Sequence, residues 1–73
     1  MYSNYNRVTS TTIEAFVGQI NRYLEQARRM PLAYYKNGRT HTICYLNTGK
    51  QLYSGSANGC YTWLSGFKNG LTG

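Results

Sequence analysis

The sequence predicts an α+β fold: a single small domain in the order α-β-β-β-α, a three-stranded antiparallel meander with both helices packed on one face. Three observations predict it. Apolar residues recur at steps of three and four between Thr11 and Met30, the repeat of a helix with one buried stripe. From Leu32 to Ser54 that repeat gives way to β-prone runs, broken by Asn37-Gly38 and Asn47-Thr48-Gly49, which is the chemistry of hairpin turns. From Ser56 the helical spacing returns. A chain of 73 residues has room for one core and no second.

Residues 1–10 are polar and rich in Asn, Ser and Tyr, and read as an N-terminal arm or an added edge strand, leaving 11–73 as the domain. Thr11 and Glu14 stand at the spacing of a capping box, in which each side chain satisfies an unpaired backbone donor at the helix start. Ile13, Phe16, Val17, Ile20, Tyr23, Leu24 and Ala27 form the stripe, with Gln19, Arg22, Glu25, Gln26 and Arg29 on the far side. Arg28 and Arg29 offset the carbonyl end of the helix dipole. Pro31 ends the helix at Met30, because the residue before proline disfavours the α conformation.

Leu32–Lys36 and Arg39–Leu46 read as the two arms of a hairpin around Asn37-Gly38, a pair suited to a type I′ turn. That turn sets Lys36 opposite Arg39, Tyr34 opposite His41 and Leu32 opposite Ile43. Leu32, Tyr34, Ile43 and Tyr45 then share a face, taken as the inward one on bulk. Tyr35, Thr40, Thr42 and a tyrosine of the third strand are expected on the open face. Gly49 suits the left-handed position of a three-residue loop before the third strand, Lys50–Ser54. A one-residue change of register there exchanges Leu52 with Tyr53. The second helix runs from Ser56, a fitting N-cap, to Lys68, with Cys60, Tyr61, Leu64 and Phe67 at helical spacing. Asn69-Gly70 reads as its stop, and Gly59 and Gly66 each weaken it by about 1 kcal/mol relative to Ala.

Eight Lys and Arg face two acids, for a net charge of +6. A basic surface attracts polyanions and acidic partners at long range. No run reaches the ~20 apolar residues of a membrane span, so no membrane partner is expected. No secretory leader pattern stands at the N-terminus. A cytoplasmic location follows as the expectation, with Cys44 and Cys60 reduced.

Catalytic and metal chemistry find few candidates. His41 and Cys44 form an H-x-x-C pair, with Cys60 further on, whereas a structural zinc site needs four such ligands. On a strand, His41 and Cys44 point to opposite faces. Glu14 is placed to cap, and Glu25 to pair with Arg22 or Arg29. That leaves no carboxylate pair for acid–base work. Ser54–Gly59 precedes a helix but matches neither phosphate-loop pattern and holds no lysine. No catalytic residue, metal or cofactor is expected.

The α-β-β-β-α order over residues 11–68 resembles that of double-stranded-RNA-binding domains, which implies packed helices on one face of a meander. That family carries a lysine-rich motif at the start of its second helix. Here the same place reads Ser54-Gly-Ser-Ala-Asn-Gly-Cys60, with no base, so the resemblance is one of element order and transfers no function.

Two functional readings follow. The favoured one is a non-catalytic inhibitor or adaptor docking on a larger, nucleic-acid-handling host protein or ribonucleoprotein. Stand-alone minimal domains of this kind fit phage or mobile-element proteins directed against host defences, anti-CRISPR proteins included. The alternative is a basic nucleic-acid-binding module. In either reading Arg22, Arg29, Lys36, Arg39 and Lys50 supply charge, and Tyr35 and Tyr53 supply exposed rings for stacking or for a protein interface. A homodimer through an edge strand or leftover apolar surface is a further expectation for so small a core.

Overall fold

A computed structural model describes residues 8–72; most of the expected N-terminal arm, residues 1–7, lies outside the described residues. The elements are α1 (Ser10–Gln26), β1 (Leu32–Asn37), β2 (Thr40–Tyr45), β3 (Gln51–Gly55) and α2 (Ala57–Thr72). The sheet is an antiparallel meander in the order β1-β2-β3. The α+β architecture is the one the sequence predicts.

α1 forms because its stripe finds a partner surface. Ile13, Val17, Ile20 and Leu24 are buried and meet Leu32 and Ile43 from the sheet and Cys60 and Leu64 from α2 in one core. α1 lies over β1, α2 over β2 and β3, and the helices touch each other. They run in the same direction: Phe16 meets Tyr61, and further along Leu24 shares a cleft with Phe67. Both C-termini therefore reach the end of the sheet where β1 begins.

The ends of α1 differ from expectation. The N-cap is Thr9, whose hydroxyl accepts from the Thr12 backbone N–H at 3.2 Å, and Glu14 takes no part in it. The cap moves two residues upstream because Thr9 already sits in extended backbone, at φ −113° and ψ 168°, the conformation an N-cap requires. The helix stops at Gln26, short of Met30. Arg29 N–H donates to Leu24 C=O at 2.8 Å and Arg28 N–H to Glu25 C=O at 3.1 Å, with Arg28 in the left-handed region at φ +57°. These bonds make a Schellman motif, which closes the helix before Pro31 can act.

Between α1 and β1 the chain is clamped. The Asn21 carboxamide accepts from Leu32 N–H at 2.8 Å and donates to Leu32 C=O at 3.0 Å. Leu32 is buried, so these backbone groups have little access to water.

In the first hairpin the turn residues are Gly38 and Arg39, one position later than expected. Asn37 pairs with Thr40, Lys36 with His41, Tyr34 with Ile43 and Leu32 with Tyr45. Gly38 has φ +65°, and among the described residues no non-glycine other than Arg28 has positive φ. That is the pattern of a type II′ turn, with glycine first. It asks one residue to be left-handed where type I′ asks two, and it brings Leu32 and Tyr34 opposite apolar partners. The faces are unchanged, so Leu32, Tyr34, Ile43 and Tyr45 do turn toward the helices.

β2 ends at Tyr45, and Leu46 leaves the sheet to join the turn. Gly49 is left-handed at φ +75°, as its place in the loop demands. A bulge follows, because Ile43 pairs with Tyr53 and Cys44 with Gln51, leaving Leu52 extra. Leu52 and Tyr53 therefore both pack against the core, and neither register alternative holds alone. α2 starts as expected, with Ser56 Oγ accepting from Gly59 N–H at 3.1 Å. It continues past Asn69-Gly70 to Thr72, because Leu71 packs on the core.

Replacing Asn21 with Ala strands both Leu32 backbone groups and is expected to lower stability by about 2–4 kcal/mol, measured by urea denaturation. The glycines of α2 divide. A methyl at Gly66 meets nothing within 4 Å, so Gly66→Ala is expected to stabilise by up to about 1 kcal/mol. A methyl at Gly59 runs into the Tyr53 hydroxyl and ring, so Gly59→Ala is expected to lose stability despite its better helix propensity. The same denaturation series reads both.

Candidate binding surface

The Schellman turn and the clamp together build the corner Arg28–Pro31. A non-glycine residue in the left-handed region costs about 1–2 kcal/mol. The following residues are held on both sides. Leu46 N–H donates to Pro31 C=O at 2.9 Å, and Tyr45 N–H to Lys50 C=O at 3.0 Å. These bonds bring Met30, Leu46 and Lys50 to one end of the molecule with Arg28 and Arg29. Met30 is 40 % exposed and Leu46 62 % exposed. A cleft of about 290 Å³ opens there, lined by Leu24, Arg28, Arg29, Met30, Tyr45 and Phe67. Its floor is apolar, its rim carries two guanidinium groups, and it has no acidic lining.

The other bases are elsewhere. Lys36 and Arg39 are exposed at the opposite end of the sheet, on either side of Gly38. Arg22 lies on α1 beside Ala15, Gly18 and Gln19. Of the residues singled out from sequence, the fold therefore places Arg29 and Lys50 at the same end of the molecule, and leaves Arg22 and the Lys36–Arg39 pair apart. Lys68, not singled out, lies on α2 with its ammonium 5.8 Å from both the Phe16 and Tyr23 ring centroids. Phe16 also packs on Tyr61 at 4.9 Å. These contacts occupy the exposed seam between the helices.

Tyr35 is 52 % exposed on the sheet face away from the helices. Tyr53 is not beside it. The bulge turns Tyr53 to the helix side, where its hydroxyl donates to Ser56 C=O at 3.2 Å and its ring tilts against Trp63. The third strand presents Ser54 to the open face instead, 3.4 Å from the Thr42 hydroxyl.

His41 is buried on the helix side and shares a 2.7 Å hydrogen bond through Nδ1 with the Tyr34 hydroxyl. Cys44 is on the opposite face of the strand from His41. Among the described residues no three His, Cys, Asp or Glu side chains gather as metal ligands. Both cysteines are free. Burial pushes the Cys60 thiol up from 9.0 to about 11, opposite to the shift that activates a nucleophile. Also among the described residues, no helix is long and apolar enough to cross a membrane.

Comparison of the chain with protein-family models, curated proteins and solved structures found no match.

Sequence reasoning passed over Arg28, Met30, Leu46, Tyr45 and Phe67. Helical periodicity sets Arg28 and Arg29 in the last turn and Leu46 in a strand, whereas neither arginine lies in the last turn of α1, which ends at Gln26, and Leu46 lies in the turn after β2. The signal present in the sequence is slight: an Arg-Arg-Met-Pro run that sets an apolar residue directly after two bases.

The raised Cys60 pKa fixes a pH dependence. Below pH 9 the thiol is neutral in both states. Between pH 9 and about 11 it ionises only when unfolded, so stability falls as pH rises through that window. Urea denaturation is expected to show a steeper alkaline loss for the wild type than for Cys60→Ala. At pH 8, Ellman's reagent is expected to reach Cys60 no faster than the chain unfolds.

Proposed function

We propose that the protein acts by binding: it is a small non-catalytic inhibitor or adaptor that docks on a larger protein. The proposed partner class is nucleic-acid-handling enzymes of host defence, CRISPR effectors among them. A phage or mobile element is the proposed source, and the cytoplasm the place of action.

The observation that carries this reading is the meeting of exposed apolar side chains with bases at one end of the fold. Met30 lines a cleft with Arg28 and Arg29, and exposed Leu46 and Lys50 are tied by backbone bonds to the same end of the fold. Arginine beside well-packed apolar and aromatic groups is the composition of protein-interface hot spots. A nucleic-acid track needs successive bases along a groove, whereas Lys36 and Arg39 are separated from this corner by the length of the hairpin.

The immobilised full chain, exposed to nuclease-treated bacterial lysate, is expected to retain a protein partner. That retention is expected to fall at least tenfold for the double variant Met30→Ser, Leu46→Ser. Failure to retain any protein, together with tight binding of duplex RNA or single-stranded DNA whose log affinity drops linearly with log salt, would move the assignment to a nucleic-acid-binding module.

A further inference from the structure

We infer that the cleft at the C-terminal end of α1 is the docking site, and that its occupant is an acidic segment of the partner protein carrying one apolar anchor side chain. The inference rests on the docking reading and adds to it a site and a recognition chemistry.

Three features of the corner converge on that occupant. The cleft floor is Leu24, Met30, Tyr45 and Phe67, and its volume of about 290 Å³ has room for a large apolar side chain with its flanking backbone. Its flexible methionine suits an adaptable contact. The rim is Arg28 and Arg29. No acid lines the cleft, and the whole chain holds two against eight bases. Glu25 lines the adjoining cleft with both arginines but not this one, so an incoming carboxylate meets two guanidinium groups, which bind carboxylates through paired N–H donors.

The third feature is independent of charge. Arg28 occupies a backbone position, φ +57°, where glycine is the ordinary residue. The fold carries the strain of an arginine where a glycine relieves it. Strained residues of this kind cluster at ligand clamps, where the side chain is needed for contact. A peptide is favoured over an oligonucleotide because the bases form a short rim and not a track.

A yeast-displayed library of random 12-residue peptides, selected on the immobilised full chain at physiological salt, provides the probe. Enriched peptides are expected to flank an aliphatic or aromatic residue with Asp or Glu. Synthesised, they are expected to lose at least tenfold in affinity for the Arg29→Glu variant. Arg28→Gly is expected to weaken binding severalfold while raising Tm by about 4–8 °C, a combination that a purely structural arginine does not produce.

Peptides without acidic enrichment, or with unchanged affinity for both variants, overturn the inference. So does a 12-nucleotide single-stranded DNA whose binding falls in the same two variants. The lysate capture separates the two levels. A partner held equally by wild type and Arg29→Glu removes the site and leaves the docking reading standing, whereas no partner held by the wild type removes the reading itself.

Discussion

The pair of hydrogen bonds between the Asn21 side chain and the Leu32 backbone is the joint on which the molecule turns. A carboxamide offers one donor and one acceptor in a plane, so it serves edge strand β1 as one residue of a neighbouring strand would. It fixes α1 against the sheet before the hairpin begins. Leu32 can then enter the core with Ile20 and Leu24 without leaving its own peptide groups unpaired. The same joint confines the chain from Arg28 to Pro31, since its two ends belong to elements already locked together. The basic and apolar corner is thus preorganised by a contact that belongs to neither its charge nor its greasy surface.

Elements with a strong period were legible in the sequence. The stripe from Ile13 to Leu24, the three β runs and the cap at Ser56 all correspond to what forms, as do the two faces of the first hairpin. What escaped were the junctions, where a few local bonds compete on nearly equal terms. Arg28 adopts a glycine-like conformation that its identity does not announce. The turn at Gly38 took the solution with one left-handed residue. The bulge at Leu52 let two adjacent side chains face inward, which no period-two reading anticipates. α2 outran its expected stop because Leu71 had a surface to cover, a tertiary gain that outweighed the poor propensity of Gly70.

The candidate site was less legible for the same reason. Arg29 and Lys50 were singled out as charges, but they are far apart in sequence. They share an end of the molecule only because Leu46 bonds to Pro31 and Tyr45 to Lys50. Tyr53 illustrates the converse. Its ring, expected on the open face, is held by Trp63 and the turn before α2. Tyr34 is likewise tied to buried His41. Tyr34 and Tyr53 therefore serve as amphipathic struts, apolar along the ring and bonded at the tip, and a tyrosine count alone overstates the aromatic surface on offer.

The bulge in β3 has a bearing on the company this sheet can keep. Among the described residues the meander has no strand beyond β1 or β3, and a long flat margin invites further chains to add on, layer after layer, toward fibrils. At Leu52 the ladder is interrupted and the strand bends, so the stretch of regular backbone left for an incoming strand is short. Lys50 stands beside it as a charge that a second identical chain would repel. The irregularity that sends Tyr53 inward also protects a Tyr-rich polypeptide from templating its own polymer.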